Sequence, residues 1–98
     1  MGEQVVVDER TVLRVRRAVE RAGSPAATVN EGAWRRSRDA LLDDFEAGHD
    51  AEVSPARIRD VIDFLAEALP SAEARMTPRE WERAVTAITD ELLSLLPR

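Results

Sequence analysis

The chain has 98 residues, a hydrophobic fraction of 44% and a net charge of −5. This length corresponds to a single domain, residues 1–98, whose hydrophobic content is sufficient for one modest core. The absence of cysteine excludes disulfides, thiolate metal sites and cysteine nucleophiles, and the acidic balance argues against a general nucleic-acid binder.

The N-terminus lacks the basic region and long apolar run of a signal peptide. No apolar stretch approaches the roughly 18 residues that a membrane-spanning helix needs. We therefore expect a cytoplasmic protein that does not insert into membranes. The chain has 14 arginines and no lysine. Each of these cations can therefore bind a carboxylate or phosphate through two parallel hydrogen bonds.

The N-terminal segment, residues 1–7, ends in three valines. Three residues are too few to indicate a strand, and we find no partner strand elsewhere, so this segment is expected to be flexible. Asp8 has the chemistry of an N-cap, and Val7 and Val12 then form a hydrophobic staple. This pattern predicts a first helix at about residues 8–22, ended by Gly23 and Pro25.

The second helix is predicted at about residues 30–47 and has two possible starts. Thr28 forms a capping box with Glu31, or Asn30 caps the helix while Val29 packs on Trp34. Apolar side chains at Trp34, Leu41 and Phe45 follow one helical face. Gly48 ends the helix.

The third helix is predicted at about residues 55–69, capped by Ser54, begun by Pro55 and closed by Pro70. The fourth is predicted at about residues 78–96. Thr77, Pro78 and Glu80 give it the clearest start in the chain, because Thr77 and Glu80 form a capping box.

Four capped amphipathic segments with short connections predict an all-α fold, a small four-helix bundle. Strand signals are absent, and we find no internal repeat. Phe64 and Leu93 lie off the main apolar faces of the third and fourth helices. Either they belong to the core, which we favour, or they contact a partner or a second copy of the chain.

Four arginines on the first helix are spaced 4, 3 and 4 residues apart, so they form a row opposite the valine stripe. Arg35 and Arg36 add positive charge at the start of the second helix. The row has three alternative explanations. Its arginines pair with carboxylates of the same chain or are simply solvated, they bind an acidic protein surface, or they bind the phosphate backbone of a nucleic acid. The row consists of Arg10, Arg14, Arg17 and Arg21.

The chain has few side chains that could act in catalysis, because it contains one histidine and no cysteine, lysine or tyrosine. We therefore predict that it is not an enzyme and has no cofactor. An acidic segment around His49 could hold a cation, but a calcium loop starting at Asp50 would need glycine where Pro55 stands. We predict no metal site there. The segment contains Asp43, Asp44, Glu46, His49, Asp50 and Glu52.

These observations predict a small non-catalytic protein–protein interaction module, such as an adaptor, an inhibitor or antitoxin-like regulator, or an assembly component. Its partner is another protein or a second copy of the chain in a homodimer. The alternative is a nucleic-acid-associated regulator that uses the arginine-lined first helix. The expected partner-binding residues are Arg10, Arg14, Arg17, Arg21, Arg35, Arg36, Phe64 and Leu93.

Overall fold

The computed structural model describes residues 4–25, 30–46 and 48–97. Helices account for most of these residues, and short strands precede or follow them. The helices are α1 (Glu9–Arg21), α2 (Glu31–Asp44), α3 (Pro55–Glu67) and α4 (Pro78–Leu95). The strands are β1 (Val5–Val7), β2 (Ala22–Pro25), β3 (Ala51–Val53) and β4 (Ala68–Pro70). A 3₁₀ turn at Ala72–Ala74 lies between β4 and α4.

The prediction of a mainly helical protein with four helices is confirmed. The prediction that it contains no strands is corrected. Val5–Val7 pairs antiparallel with Ala51–Val53, and β2 pairs antiparallel with β4. The strands were hard to foresee because the partner segment Ala51-Glu52-Val53 contains a single β-branched residue, which is a weak strand signal.

All four helices begin at capped residues, as the sequence indicates. The caps accept hydrogen bonds from backbone N–H groups inside the first turn. Asn30 is the start of α2, and the alternative at Thr28, like the predicted Val29 contact, lies outside the described residues. The capping side chains are Asp8, Asn30, Ser54 and Thr77, the last in a complete capping box with Glu80.

The two carboxyl groups in these caps, Asp8 and Glu80, both have lowered pKa values. The hydrogen bonds that Thr11 donates to Asp8 lower the pKa of that carboxyl group. Glu80 accepts a hydrogen bond from the backbone N–H of Thr77, and this contact lowers the pKa of Glu80 in the same way. In both cases the folded chain favours the charged form, because only the carboxylate accepts from these donors.

Among the residues that the structure describes, 18 hydrophobic side chains are buried in the core, and they come from each of α1–α4 and from both strand pairs. They fall into nine pairs, each with one residue between β1 and Phe45, which follows α2, and one from β3 onwards. Within a pair the two positions lie 46 residues apart up to the second strand, and 47 apart beyond it. The pairs are Val7/Val53, Val12/Ile58, Val15/Val61, Ala18/Phe64, Val19/Leu65, Ala22/Ala68, Trp34/Trp81, Leu41/Ile88 and Phe45/Leu92.

The element order repeats in the same way. An N-terminal half (β1, α1, β2, α2) and a C-terminal half (β3, α3, β4, α4) have the same sequence of strands and helices, and α1 and α3 both have 13 residues. The chain is therefore an internal repeat, which corrects the expectation of none. We call residues at the same place in the two halves equivalent.

The strands show how the halves are arranged. β1 pairs with its equivalent β3, with Val6 opposite its equivalent Glu52, and β2 pairs with its equivalent β4. Antiparallel pairing of equivalent strands is the arrangement that a two-fold axis produces. The halves are thus related by an approximate two-fold axis that passes through both strand pairs.

The β2–β4 pair brings two backbones into close contact at Gly23. A Cβ atom at this position would lie 3.0 Å from the Cα of Ser71. The Ser71 N–H also donates to the carbonyl of Arg21 over 2.8 Å. Gly23, expected only to end the first helix, therefore allows the two halves to approach at this end of the axis.

Candidate interaction surface

The predicted arginine row lies on the solvent-facing side of α1. Its four members are exposed, whereas Val12, Val15 and Val19 on the opposite side are buried in the core. This separation follows from the helical period, which places positions 3 and 4 apart on one face.

Three arginines of the row border a groove of about 210 Å³ between α1 and α4, which we call the basic groove. Its apolar floor includes Trp81, which is 5% exposed and fixed by a hydrogen bond from Nε1 to the carbonyl of Ala68 over 3.0 Å. The groove therefore combines an apolar floor with guanidinium groups at its border. Its lining residues are Arg14, Arg17, Ala18, Arg21, Met76, Trp81, Ala84 and Ile88.

The arginines of the row differ in what they contact. Arg14 forms an ion pair with Glu91 of α4, which also accepts a hydrogen bond from the Thr11 hydroxyl over 2.6 Å. Within residues 4–25, 30–46 and 48–97, no carboxylate oxygen lies within 4.0 Å of Arg10, Arg17 or Arg21. All three are exposed to solvent.

Arg35 and Arg36 are exposed but lie away from the basic groove. Arg35 borders a separate cavity together with Glu20 and Glu31. Arg36 borders a groove between α2 and α3. The six arginines expected to bind a partner are therefore divided among three surfaces.

Phe64 is buried, with 7% of its surface exposed, and its ring stacks on Trp34 with centroids 4.0 Å apart. The core alternative describes it, because only a small part of its side chain is reached by solvent. Leu93 is 52% exposed. Its role in binding stays a prediction, because a single exposed leucine is common on protein surfaces.

The Trp34–Phe64 stack forms part of the floor of the groove between α2 and α3, whose volume is about 550 Å³. Three carboxylates of α3 border it, and we call it the acidic groove. Arg57, also at its edge, forms ion pairs with Asp44 and Asp60. The carboxylates are Asp60, Asp63 and Glu67.

The two grooves are equivalent: the basic groove lies between α1 and α4, the acidic groove lies between α3 and α2, and each uses one helix of either half. Trp81 and Trp34 are equivalent, as are Arg14 and Asp60, Arg17 and Asp63, and Arg21 and Glu67. The same place on the fold therefore carries positive charge in one half and negative charge in the other. Asp63 and Glu67 are absent from the residues predicted to bind a partner, although the spacing between the two tryptophans is a signal that could have identified them.

The acidic segment around His49 contributes contacts between the halves. Asp50 accepts a hydrogen bond from the backbone N–H of Glu9 over 2.9 Å, at the start of α1. His49 is exposed. No group of three or more histidine, aspartate or glutamate side chains in the described ranges is arranged to hold a metal ion.

The carboxylates at the end of α2 are offset by a cation from α1. Arg16 donates to the carbonyl oxygens of Leu42 and Phe45, over 2.9 and 3.4 Å, and pairs with Glu20. A cation at a helix C-terminus stabilises the unpaired carbonyl groups and the helix dipole. Arg16 therefore compensates for the lack of a basic residue in the last turn of α2.

No protein-family model, curated protein or solved structure matches this chain. None of the helices described above is long and apolar enough to cross a membrane. A cytoplasmic location stays a prediction.

Proposed function

We propose that the chain is a non-catalytic protein–protein interaction module that binds an acidic protein surface through the basic groove. The observation that carries this proposal is the pair Arg17 and Arg21, which are exposed, have no ion pair among the described residues and border an apolar floor. Arginine and tryptophan are the residue types that contribute most to protein interfaces.

The dimensions of the groove favour a protein partner over a small substrate. A volume of about 210 Å³ is below the roughly 300 Å³ at which small-molecule pockets begin. It accommodates one or two apolar side chains from a partner helix, whose carboxylates can then pair with the arginines at the edge. His49, the only histidine, does not line this groove.

A titration followed by NMR tests the proposal. The probe is a synthetic amphipathic helix of about 20 residues with leucine on one face and glutamate beside it. We expect amide shifts concentrated on α1 and α4 around Trp81. The double variant Arg17→Glu/Arg21→Glu should lose this binding, because it places like charges against the probe.

The matched control is Arg79→Glu/Arg83→Glu, which makes the same change of charge on α4 outside the basic groove. We expect it to bind the probe nearly as well as the unmodified chain does. Equal losses in the two double variants, or no shifts with the unmodified chain, would contradict the proposal.

The alternative is nucleic-acid association through the same arginine row, which is favoured by the regular steps of 4, 3 and 4 residues between Arg10, Arg14, Arg17 and Arg21 along α1. Against it, Arg35 and Arg36 lie on other surfaces, and the net charge of −5 repels a phosphate backbone. Tight binding of duplex DNA that weakens steeply with salt would support this alternative.

A further inference from the structure

We infer that the acidic surface recognised by the basic groove belongs to a second copy of this chain, whose acidic groove docks onto it. This inference rests on the proposed function, because it uses the same basic groove and names its partner. It goes beyond it by identifying both surfaces of the contact.

The first argument is the matching spacing of the two charged rows. Arg14, Arg17 and Arg21 are separated by three and four residues along α1, and Asp60, Asp63 and Glu67 are separated by the same steps along α3. The rows therefore have the same length, about 10 Å. When the two helices lie side by side, each arginine can face one carboxylate.

The second argument is that the unused charges also match. Arg14 and Asp60 already have intramolecular partners, Glu91 and Arg57. The remaining members are two exposed arginines on one groove and two exposed carboxylates on the other. Arg17, Arg21, Asp63 and Glu67 have no ion pair in the part of the chain that the structure describes.

Other cations near the acidic groove do not reverse its sign. Arg57 is held between Asp44 and Asp60. Arg36 also borders the groove and offsets one charge. The groove is lined by three carboxylates, Asp60, Asp63 and Glu67, against the two cations Arg57 and Arg36, so its net charge stays negative.

Each groove lies between a helix of one half and a helix of the other, and the charged row comes from α1 in the basic groove and from α3 in the acidic groove. A copy therefore offers one groove of each sign. A contact between unlike surfaces is heterologous, and it leaves one basic and one acidic groove free at the ends of a pair. Further copies can add until a ring closes. The contact uses exposed charges, so it should be weak and sensitive to salt.

Sedimentation velocity of the full chain at increasing concentration tests this inference. We expect self-association at low ionic strength that weakens about tenfold or more in roughly 0.5 M salt. The double variant Arg17→Glu/Arg21→Glu makes both grooves negative, and Asp63→Arg/Glu67→Arg makes both positive. Each variant alone should be monomeric, because like charges then face each other.

An equimolar mixture of the two variants should associate again, because each supplies the sign that the other has lost. This recovery also shows that both variants are folded, which circular dichroism can check independently. The control Arg79→Glu/Arg83→Glu should associate as the unmodified chain does.

A monomeric unmodified chain at low salt, self-association that persists in either variant alone, or a mixture that stays monomeric would overturn the inference. If the chain is monomeric but still binds the acidic helical probe at the basic groove, the inference is wrong while the proposed function stands. Loss of both results would overturn both.

Discussion

The two halves of the chain place tryptophan at equivalent positions, Trp34 and Trp81, yet the two indole rings have different surroundings. Trp34 stacks on Phe64 of the other half. At the position equivalent to Phe64 the chain has Ala18, which lines the basic groove together with Trp81. Trp81 instead donates its N–H to the carbonyl of Ala68.

The comparison shows that the repeated backbone sets where the grooves are, and that a few substitutions between the halves set what they contain. Nine core pairs keep their apolar character in both halves. The exposed positions do not: Arg17 and Arg21 correspond to Asp63 and Glu67. Burial constrains the core in the same way twice, whereas solvent-facing positions on a common frame are free to carry opposite charges.

The largest expected effect comes from making the halves alike at the aromatic stack. Phe64→Ala gives position 64 the residue of its equivalent Ala18 and leaves a cavity beside Trp34. We expect a loss of about 3–5 kcal/mol in the free energy of unfolding, measured by urea denaturation. Leu93→Ala is the control, and its exposed side chain should change stability by less than about 0.5 kcal/mol. Similar losses would show that the stack is not part of the core.

A smaller effect is expected where one half supplies a cation that the other lacks. Arg16 bonds the C-terminal carbonyls of α2, whereas its equivalent is Ile62. Arg16→Met should lower the free energy of unfolding by about 1–2 kcal/mol, because charged hydrogen bonds are lost at half-buried atoms. Arg17→Met removes an arginine of the same helix that has no ion pair among the described residues, and it should be nearly neutral. The prediction is wrong if the two methionine variants unfold at the same urea concentration.

The two tryptophans differ by one hydrogen bond, and this difference can be measured. Trp81→Phe removes the N–H group that donates to the carbonyl of Ala68. Trp34→Phe removes a similar volume at a buried position, but the Trp34 indole N–H has no acceptor among the described residues, so no hydrogen bond is lost. We expect Trp81→Phe to cost about 1 kcal/mol more than Trp34→Phe in thermal or urea unfolding. An equal or reversed order would mean that the stack on Phe64 outweighs this bond.

The smallest effect concerns the equivalent helix caps Asp8 and Ser54. Because the pKa of Asp8 is lowered in the folded chain, its stabilisation is present above the ordinary pKa of about 4 and is lost as the pH falls through the lower folded value. Ser54 does not titrate. Asp8→Ser should therefore leave stability near neutral pH almost unchanged and reduce its decline at acid pH. Unfolding curves measured from about pH 6 to pH 2.5 check this, and an unchanged acid decline would contradict it.

Local signals predicted the helix starts well, because caps such as Thr77 with Glu80 act within one helical turn. The ends were predicted less well: the third helix was expected to run to Leu69, but α3 ends at Glu67 and Ala68–Pro70 forms β4. The strands were missed because each depends on a partner about 45 residues away, and three valines alone do not reveal it. The repeat was missed because the equivalent residues are mostly similar in size or burial and seldom identical. One additional residue before α4 also changes the spacing.

The sequence predicted only the part of the basic groove that depends on local spacing. The helical period alone places the arginines of α1 on one exposed face. It gives no information on which of them meets a carboxylate from another helix, so the pairing of Arg14 with Glu91 required the tertiary structure. The sequence of α3 alone does not mark Asp63 and Glu67 as candidate binding residues. They are identified only when α3 is compared with α1, where the equivalent residues are Arg17 and Arg21.

The strand pairs join the halves at both ends of the approximate axis, and the covalent connection through Gly48 lies on the surface. Gly48 has a φ of 89° and nothing within 4 Å of where a Cβ would be. A protease that cuts at this exposed loop should therefore yield two fragments that elute together from a sizing column and separate only in denaturant. Each strand pair and most of the core require both fragments. The peptide connection at Gly48 therefore contributes more to the rate at which the halves assemble than to the stability of the assembled fold.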